Sequence, residues 1–156
     1  MIIGDPFYRT LVGFASMIES QFVLFGHQFA VRQNWFSLSS SDQSSPIFLM
    51  FIDSVFQILR QFRDAFEFTE AFLIDLCDNI DSLRFGSFLA HEKGRINLSL
   101  EQTTRSIWNS MLSEEAADDY KNPSYQPVPG RVIPCTTQRA VVFWREYFLR
   151  FSTESK

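Results

Sequence analysis

Cysteine, histidine, glycine and proline are all scarce in this chain, at two, two, six and six of 156 residues. Cys77 and Cys135 are too few for a disulfide framework or a cysteine zinc site; as isolated thiols they suit a reducing cytosol, and both read as buried. His27 and His91 have no partner at metal-ligand spacing, so neither a metal nor any other cofactor is expected. Few Gly and Pro alongside a 46% hydrophobic fraction exclude a disordered or collagen-like chain. A Walker loop, a Gly-x-Gly-x-x-Gly fingerprint and a Gly-x-Ser-x-Gly elbow are absent. Basic charge is also short: the net charge of -4 and pI of about 5.1 argue against a nucleic-acid binder. The longest strongly apolar run, 47–52, is six residues where a spanning helix needs ~20, so no transmembrane segment is expected. Met1-Ile2-Ile3 passes straight into Gly4-Asp5-Pro6, with no basic start and no long apolar stretch, so no secretory leader is expected either.

Cysteine phosphatase chemistry needs a Cys, five intervening residues and an Arg. That length wraps backbone N–H groups around a phosphate while the guanidinium closes the cradle. Here Cys77 has Arg84 seven positions on, and Cys135 has Arg139 four positions on. Neither spacing closes a cradle, so no catalytic residue is assigned within the chain.

Phenylalanine is what the chain has in excess, with 18 residues. Asp5-Pro6 is a helix start signal; Phe7, Leu11, Phe14, Ile18, Phe22 and Phe25 then recur at helical spacing up to Gly26, a plausible C-cap. Residues 37–45 are polar and serine-rich and read as a surface loop. Ser45-Pro46 repeats the start signal before Phe48, Phe51, Ile52, Val55, Leu59 and Phe62. Further apolar residues on other sides of this helix mark it as central. From Thr69, the residues Phe72, Leu73, Leu76, Cys77 and Ile80 make a third stripe. Residues 84–89 form an aromatic link and 92–94 a turn. Residues 103–112 read as helix around Ile107 and Trp108, and Glu114-Glu115 as the first turn of a short acidic helix. Residues 131–133 suggest one short strand. Thr136 or Thr137 is expected to cap a last helix with a stripe of Val141, Trp144, Phe148 and Phe151.

A set of aromatic phrases, in order, carries a family resemblance through nearly the whole chain. They are Asp5-Pro6-Phe7-Tyr8-Arg9-Thr10 with Gly13-Phe14, Phe25-Gly26-His27-Gln28-Phe29 with Arg32, and Ser45-Pro46-Ile47-Phe48-Leu49 with Phe51-Ile52-Asp53. Then follow Arg60-Gln61-Phe62, Ala65-Phe66-Glu67-Phe68, Arg84-Phe85-Gly86-Ser87-Phe88-Leu89, Ser106-Ile107-Trp108 and Asn122-Pro123. Together they resemble the myotubularins, phosphoinositide 3-phosphatases acting on phosphatidylinositol 3-phosphate and the 3,5-bisphosphate. The resemblance implies a mainly α fold, the helical C-terminal half of a larger α/β cysteine-dependent phosphatase domain with at most one or two short strands. It assigns residues 1–152 to that domain and 153–156 to a tail. Family members use a Cys-Ser-Asp-Gly-Trp-Asp-Arg loop, which would lie upstream of Met1, so the 156 residues alone are expected to be inactive.

The same resemblance places two basic head-group contacts on Gln28 and Arg32, with His27 beside them. Arg32 keeps its charge and Gln28 does not. Residues 33–36, Gln-Asn-Trp-Phe, depart from a Gly-His-Gly-like family turn, and Phe22 stands where the family usually has Trp. The alternative within the family is a pseudophosphatase adaptor that binds active myotubularins, and the alternative outside it is a stand-alone helical interaction module. Implied partners are the phosphoinositide head group and other myotubularins, and the implied location is cytoplasmic, peripheral to endosomal or other phosphoinositide-bearing membranes. The Phe-rich faces of such a half-domain are expected to be partly uncovered.

Overall fold

The computed structural model describes residues 1–33, 45–82, 84–89 and 105–151. The 92–94 turn, His91, residues 34–36 and nearly all of the 37–45 loop lie outside the described residues. Eight α-helical segments occur among the described residues: α1 (Leu11–Ile18), α2 (Phe29–Arg32), α3 (Ile47–Gln61), α4 (Glu70–Asp81), α5 (Gly86–Leu89), α6 (Ile107–Met111), α7 (Glu114–Tyr120) and α8 (Arg145–Phe148). There is no sheet among them; the one bridge joins Phe68 to Lys121. The protein is mainly α, as its apolar periodicity implies.

The stripes of α3 and α4 form the centre. Phe48, Ile52, Val55, Phe56 and Leu59 of α3 are buried, and so are Phe72, Leu73, Leu76, Cys77 and Ile80 of α4. Phe14 of α1 meets Phe68 and Phe72 with ring centres 5.0 and 5.9 Å apart, and Phe66 meets Phe68 at 5.3 Å. Tilted and edge-on contacts of this kind suit the ring quadrupoles, and each buried Phe contributes about 1.5–3 kcal/mol through burial.

The first stripe is not one helix. Asp5 accepts from Phe7 N–H and Pro6 opens a 3-10 turn, Pro6–Arg9, but Thr10 is extended (φ -88°, ψ 159°) and caps α1 by accepting from Gly13 N–H. Beyond α1 the chain widens into a π-helical turn, Glu19–Val23. Each break shifts the helical phase, so Phe14 and Ile18 are fully buried while Phe7 and Phe25 are exposed. Gly26 then ends the segment at φ 80°, as a C-terminal glycine should.

The C-terminal region departs further from expectation. Residues 131–133 form no strand; Val132 N–H bonds the Ile3 carbonyl instead. The last helix is only Arg145–Phe148, preceded by a 3-10 turn, Gln138–Ala140, and an extended run. Two glutamines on α3 account for this. The Gln57 amide donates to Val142 O (2.8 Å) and accepts from Val142 N–H (3.2 Å), and Gln61 does the same to Cys135 at 3.2 and 2.7 Å. Each side chain supplies the pair of bonds a neighbouring strand would, and the β-branched Val141-Val142 accepts the extended form. Trp144 is consequently buried, stacked 4.7 Å from Phe56 with its indole N–H on Glu70, whereas Val141, Phe148 and Phe151 are exposed. Cys77 is core, as its place in the stripe requires, but Cys135 is exposed because it sits in this irregular run.

Arg9 ties the two ends together. Its guanidinium is fully buried and donates to the carbonyls of Ile2 (3.1 Å), Val128 (2.7 Å) and Gly130 (3.0 Å). Asn122 clasps the turn before Phe68, its side-chain N–H groups reaching Arg63 O and Phe66 O at 2.9 and 3.0 Å. Of the short helices, α6 and α7 begin as capped units, at Ser106 and Ser113, and residues 103 and 104, expected to open the first of them, lie outside the described residues.

Two stability outcomes are expected. A Cβ at Gly13 would lie 1.8 Å from Phe7 O, so Gly13→Ala should cost at least about 2–3 kcal/mol in urea unfolding. Arg9→Met leaves three carbonyls without their donor and should cost about 2–4 kcal/mol, seen as loss of protection at the N-terminus and at 128–132 together in hydrogen exchange.

Candidate functional site

The phosphate-facing candidates sit on the short helix α2. Gln28 occupies its N-cap and accepts Arg32 N–H at 2.9 Å, which puts the two side chains one turn apart on the same side. Phe29 anchors the helix: it is buried, with ring centres 5.2 Å from Phe48 and 4.8 Å from Phe88. With Phe29 turned inward, Gln28 is exposed and Arg32 half-buried.

His27 is held between aromatic edges, 5.4 Å from Phe22 and 4.6 Å from Phe29. Phe22 acts as a packing ring here, also reaching Phe48 and Phe51 at 5.0 Å each. The His27 Nε2 is shielded from solvent with no hydrogen-bond partner among the described residues. Burial, and then the charge of Arg32, hold its pKa below the usual histidine value. At neutral pH the imidazole is therefore uncharged and offers a hydrogen bond, not a cation, to anything that approaches.

Arg32 lines a cavity of about 270 Å³ with Gln33, Phe48, Cys77, Asp81 and Tyr147 among its neighbours. It brings one guanidinium, one carboxylate, one phenol and one thiol around that space. Burial pushes the Cys77 thiol up to about 12; the carboxylates of Asp81 and Asp78 add to this, while Tyr147 and Arg150 partly oppose it. Tyr147 is raised too, by burial first and then by Cys77 and the nearby carboxylates. A thiol so protonated is a poor nucleophile at neutral pH. Tyr147 and Asp81 were not legible as site residues. Tyr147 lies within an aromatic stripe 70 positions beyond Cys77, and Asp81 reads as a solvated helix end.

Cys135 is the accessible thiol. Its sulfur lies 3.3 Å from Thr137 Oγ1, and hydrogen bonds from the Thr137 side chain and then its backbone lower its pKa. Arg139, four positions on, belongs to a 3-10 turn, so the pair forms no phosphate cradle. Among the described residues no group of three His, Cys, Asp or Glu side chains could hold a metal ion, and no helix is long and apolar enough to cross a membrane.

Residues 1–95 match the myotubularin-like phosphatase domain. Over 155 residues the chain is 38% identical to myotubularin from Rattus norvegicus, an alignment covering 97% of this chain and 25% of that protein. It is 36% identical to phosphatidylinositol-3,5-bisphosphate 3-phosphatase MTMR2 from Gallus gallus and from Mus musculus, over 100% of this chain and 28% and 24% of theirs. The chain thus spans about a quarter of the length of the curated relatives it matches. With the match covering more than half of the residues and the aromatic phrases falling at the Phe14, Phe29 and Phe68 packing centres, the chain belongs to the myotubularin-like phosphatase family.

Proposed function

We propose that residues 1–152 serve as the helical C-terminal part of a phosphoinositide 3-phosphatase domain, in which Arg32 meets the anionic inositol head group. The cysteine that attacks phosphorus is supplied by another stretch of the whole protein. The observation that carries this reading is the placement of Arg32: a half-buried guanidinium at a cavity edge, on the end of a helix fixed by Phe29. A guanidinium can grip a phosphate through two parallel N–H bonds, and partial burial strengthens each of them. The relatives named for a phosphatidylinositol 3,5-bisphosphate substrate support the choice of ligand. On this reading the whole protein works in the cytoplasm at phosphoinositide-bearing membranes such as endosomes, and associates with other myotubularins.

The chemistry of the thiols supports assigning catalysis elsewhere. Cys77 is buried and protonated, and Cys135 lacks an arginine at the spacing a phosphate cradle needs. A second reading, a regulatory pseudophosphatase that binds active relatives, is favoured by Gln28, a neutral side chain where the family carries a basic one. Gln28 and Arg32 share one face, so a second cation there would have doubled the local charge.

Nuclear magnetic resonance titration of the chain with soluble inositol 1,3,5-trisphosphate should shift residues around α2. Arg32→Ala should weaken that binding about tenfold, and Gln28→Lys should strengthen it by a similar factor. Binding indifferent to Arg32 would remove the head-group assignment. Phosphate release from phosphatidylinositol 3-phosphate by the 156-residue chain would remove the placement of catalysis elsewhere.

The thiols offer a separate check. At pH 7 a soluble alkylating reagent should modify Cys135 at least about a thousandfold faster than Cys77, and unfolding the chain in urea should bring the two rates close together.

A further inference from the structure

Apolar side chains gather on the outside of the molecule where the start of α3 meets residues 141–148. Leu49, Met50, Val141, Val142, Phe143 and Phe148 line one open groove of about 500 Å³. Met50 is 64% exposed, Val141 55% and Phe143 61%, and the rings of Phe143 and Phe148 stack 5.4 Å apart. The arrangement follows from the extended backbone. Gln57 takes the backbone of Val142 and Trp144 points into the core, so by strand alternation Val141 and Phe143 face outward.

The charge around this groove differs from that of the chain. Residues 128–151 carry four arginines against one acid, Glu146, in a protein of net charge -4. Arg139 and Arg145, both exposed, flank the outward residues on either side in sequence. Arg60 reaches the same segment from α3 and donates to the Ala140 carbonyl, a neutral acceptor. Arg150 is committed to Asp78 as a bidentate pair. Among the described lining residues the one acid is Asp53, whose carboxyl pKa is raised by burial; Glu146 is exposed, next to Arg145 in sequence.

We propose that this face docks on an anionic bilayer, with Val141 and Phe143 entering the head-group layer and Arg60, Arg139 and Arg145 meeting lipid phosphates and carboxylates at its rim. The proposal rests on the phosphoinositide reading for the expectation of work at a membrane, and on its own geometry for the place. Exposed aromatics edged by arginine match an interfacial environment, where the ring leaves water and the guanidinium stays at the polar boundary. The excess negative charge on the rest of the molecule would turn away from the same surface, orienting the approach. A second copy is the poorer occupant, because a two-fold pairing of this face would bring the arginines of both copies together.

Flotation of the whole chain with vesicles tests the face directly. One set is phosphatidylcholine alone and the other includes about one-third phosphatidylserine; neither contains a phosphoinositide. Partition into the anionic vesicles should exceed the neutral case by at least about tenfold, fall in high salt, and drop about tenfold in both Phe143→Ser and Arg139→Glu. A thermal melt by circular dichroism accompanies each variant; should one fail to fold, the other decides. Equal partition into both vesicle types overturns the proposal, as does binding unaffected by either substitution. Concentration-dependent dimerisation abolished by Phe143→Ser, without lipid binding, overturns it in favour of a protein partner. Any of these failures leaves the Arg32 assignment standing, since the soluble head group is titrated without a bilayer.

Discussion

A single guanidinium organises the irregular half of this molecule. Arg9 is shut away from solvent, and its two terminal nitrogens donate to the backbone carbonyls of residues 2, 128 and 130, while its buried Nε has no hydrogen-bond partner among the described residues. Desolvating an arginine is costly, and that cost is offset only while all of these acceptors stay in place. The N-terminal turn and the long non-helical run after α7 are therefore mutually dependent, although more than a hundred residues separate them in sequence. Everything downstream, including the Trp144 stack and the short helix α8, continues from a segment held in this way.

The Phe-rich centre behaves differently, because it is local and redundant. α4 buries its whole stripe and α3 most of its own, with Phe51 and Phe62 half-buried, and Phe14, Phe66, Phe68 and Phe72 touch through tilted and edge-on contacts. No one of these rings fixes the fold. This division explains what could be read beforehand. The faces of α3 and α4, the capped start at Asp5-Pro6 and the glycine stop at Gly26 follow from periodicity and capping, which are local rules. The break at Thr10 follows from a competing rule: its hydroxyl caps the next helix, which requires an extended backbone.

The C-terminal segment was illegible for a related reason. Val141, Trp144, Phe148 and Phe151 satisfy a helical spacing, yet the partners that decide their backbone, Gln57 and Gln61, lie 74 or more positions away. Composition gives no hint that a glutamine side chain will replace a strand. The site divides along the same line. Arg32 and Gln28 are visible as neighbours from their spacing alone, whereas Tyr147, Asp81 and Cys77 meet Arg32 only through tertiary packing. His27, grouped with Gln28 and Arg32 by sequence, has its pKa lowered by burial and then by the charge of Arg32, a property no linear pattern records.

The paired glutamines have a geometric corollary. Gln57 and Gln61 stand one helical turn apart, a rise of about 6 Å, while the residues they grip, Val142 and Cys135, are separated by a length of chain that could stretch about 23 Å. The surplus cannot lie flat between two such closely spaced rungs. It must buckle outward, which is the origin of the Gln138–Ala140 turn, and the pitch of α3 is thus what lifts Arg139 clear of the surface.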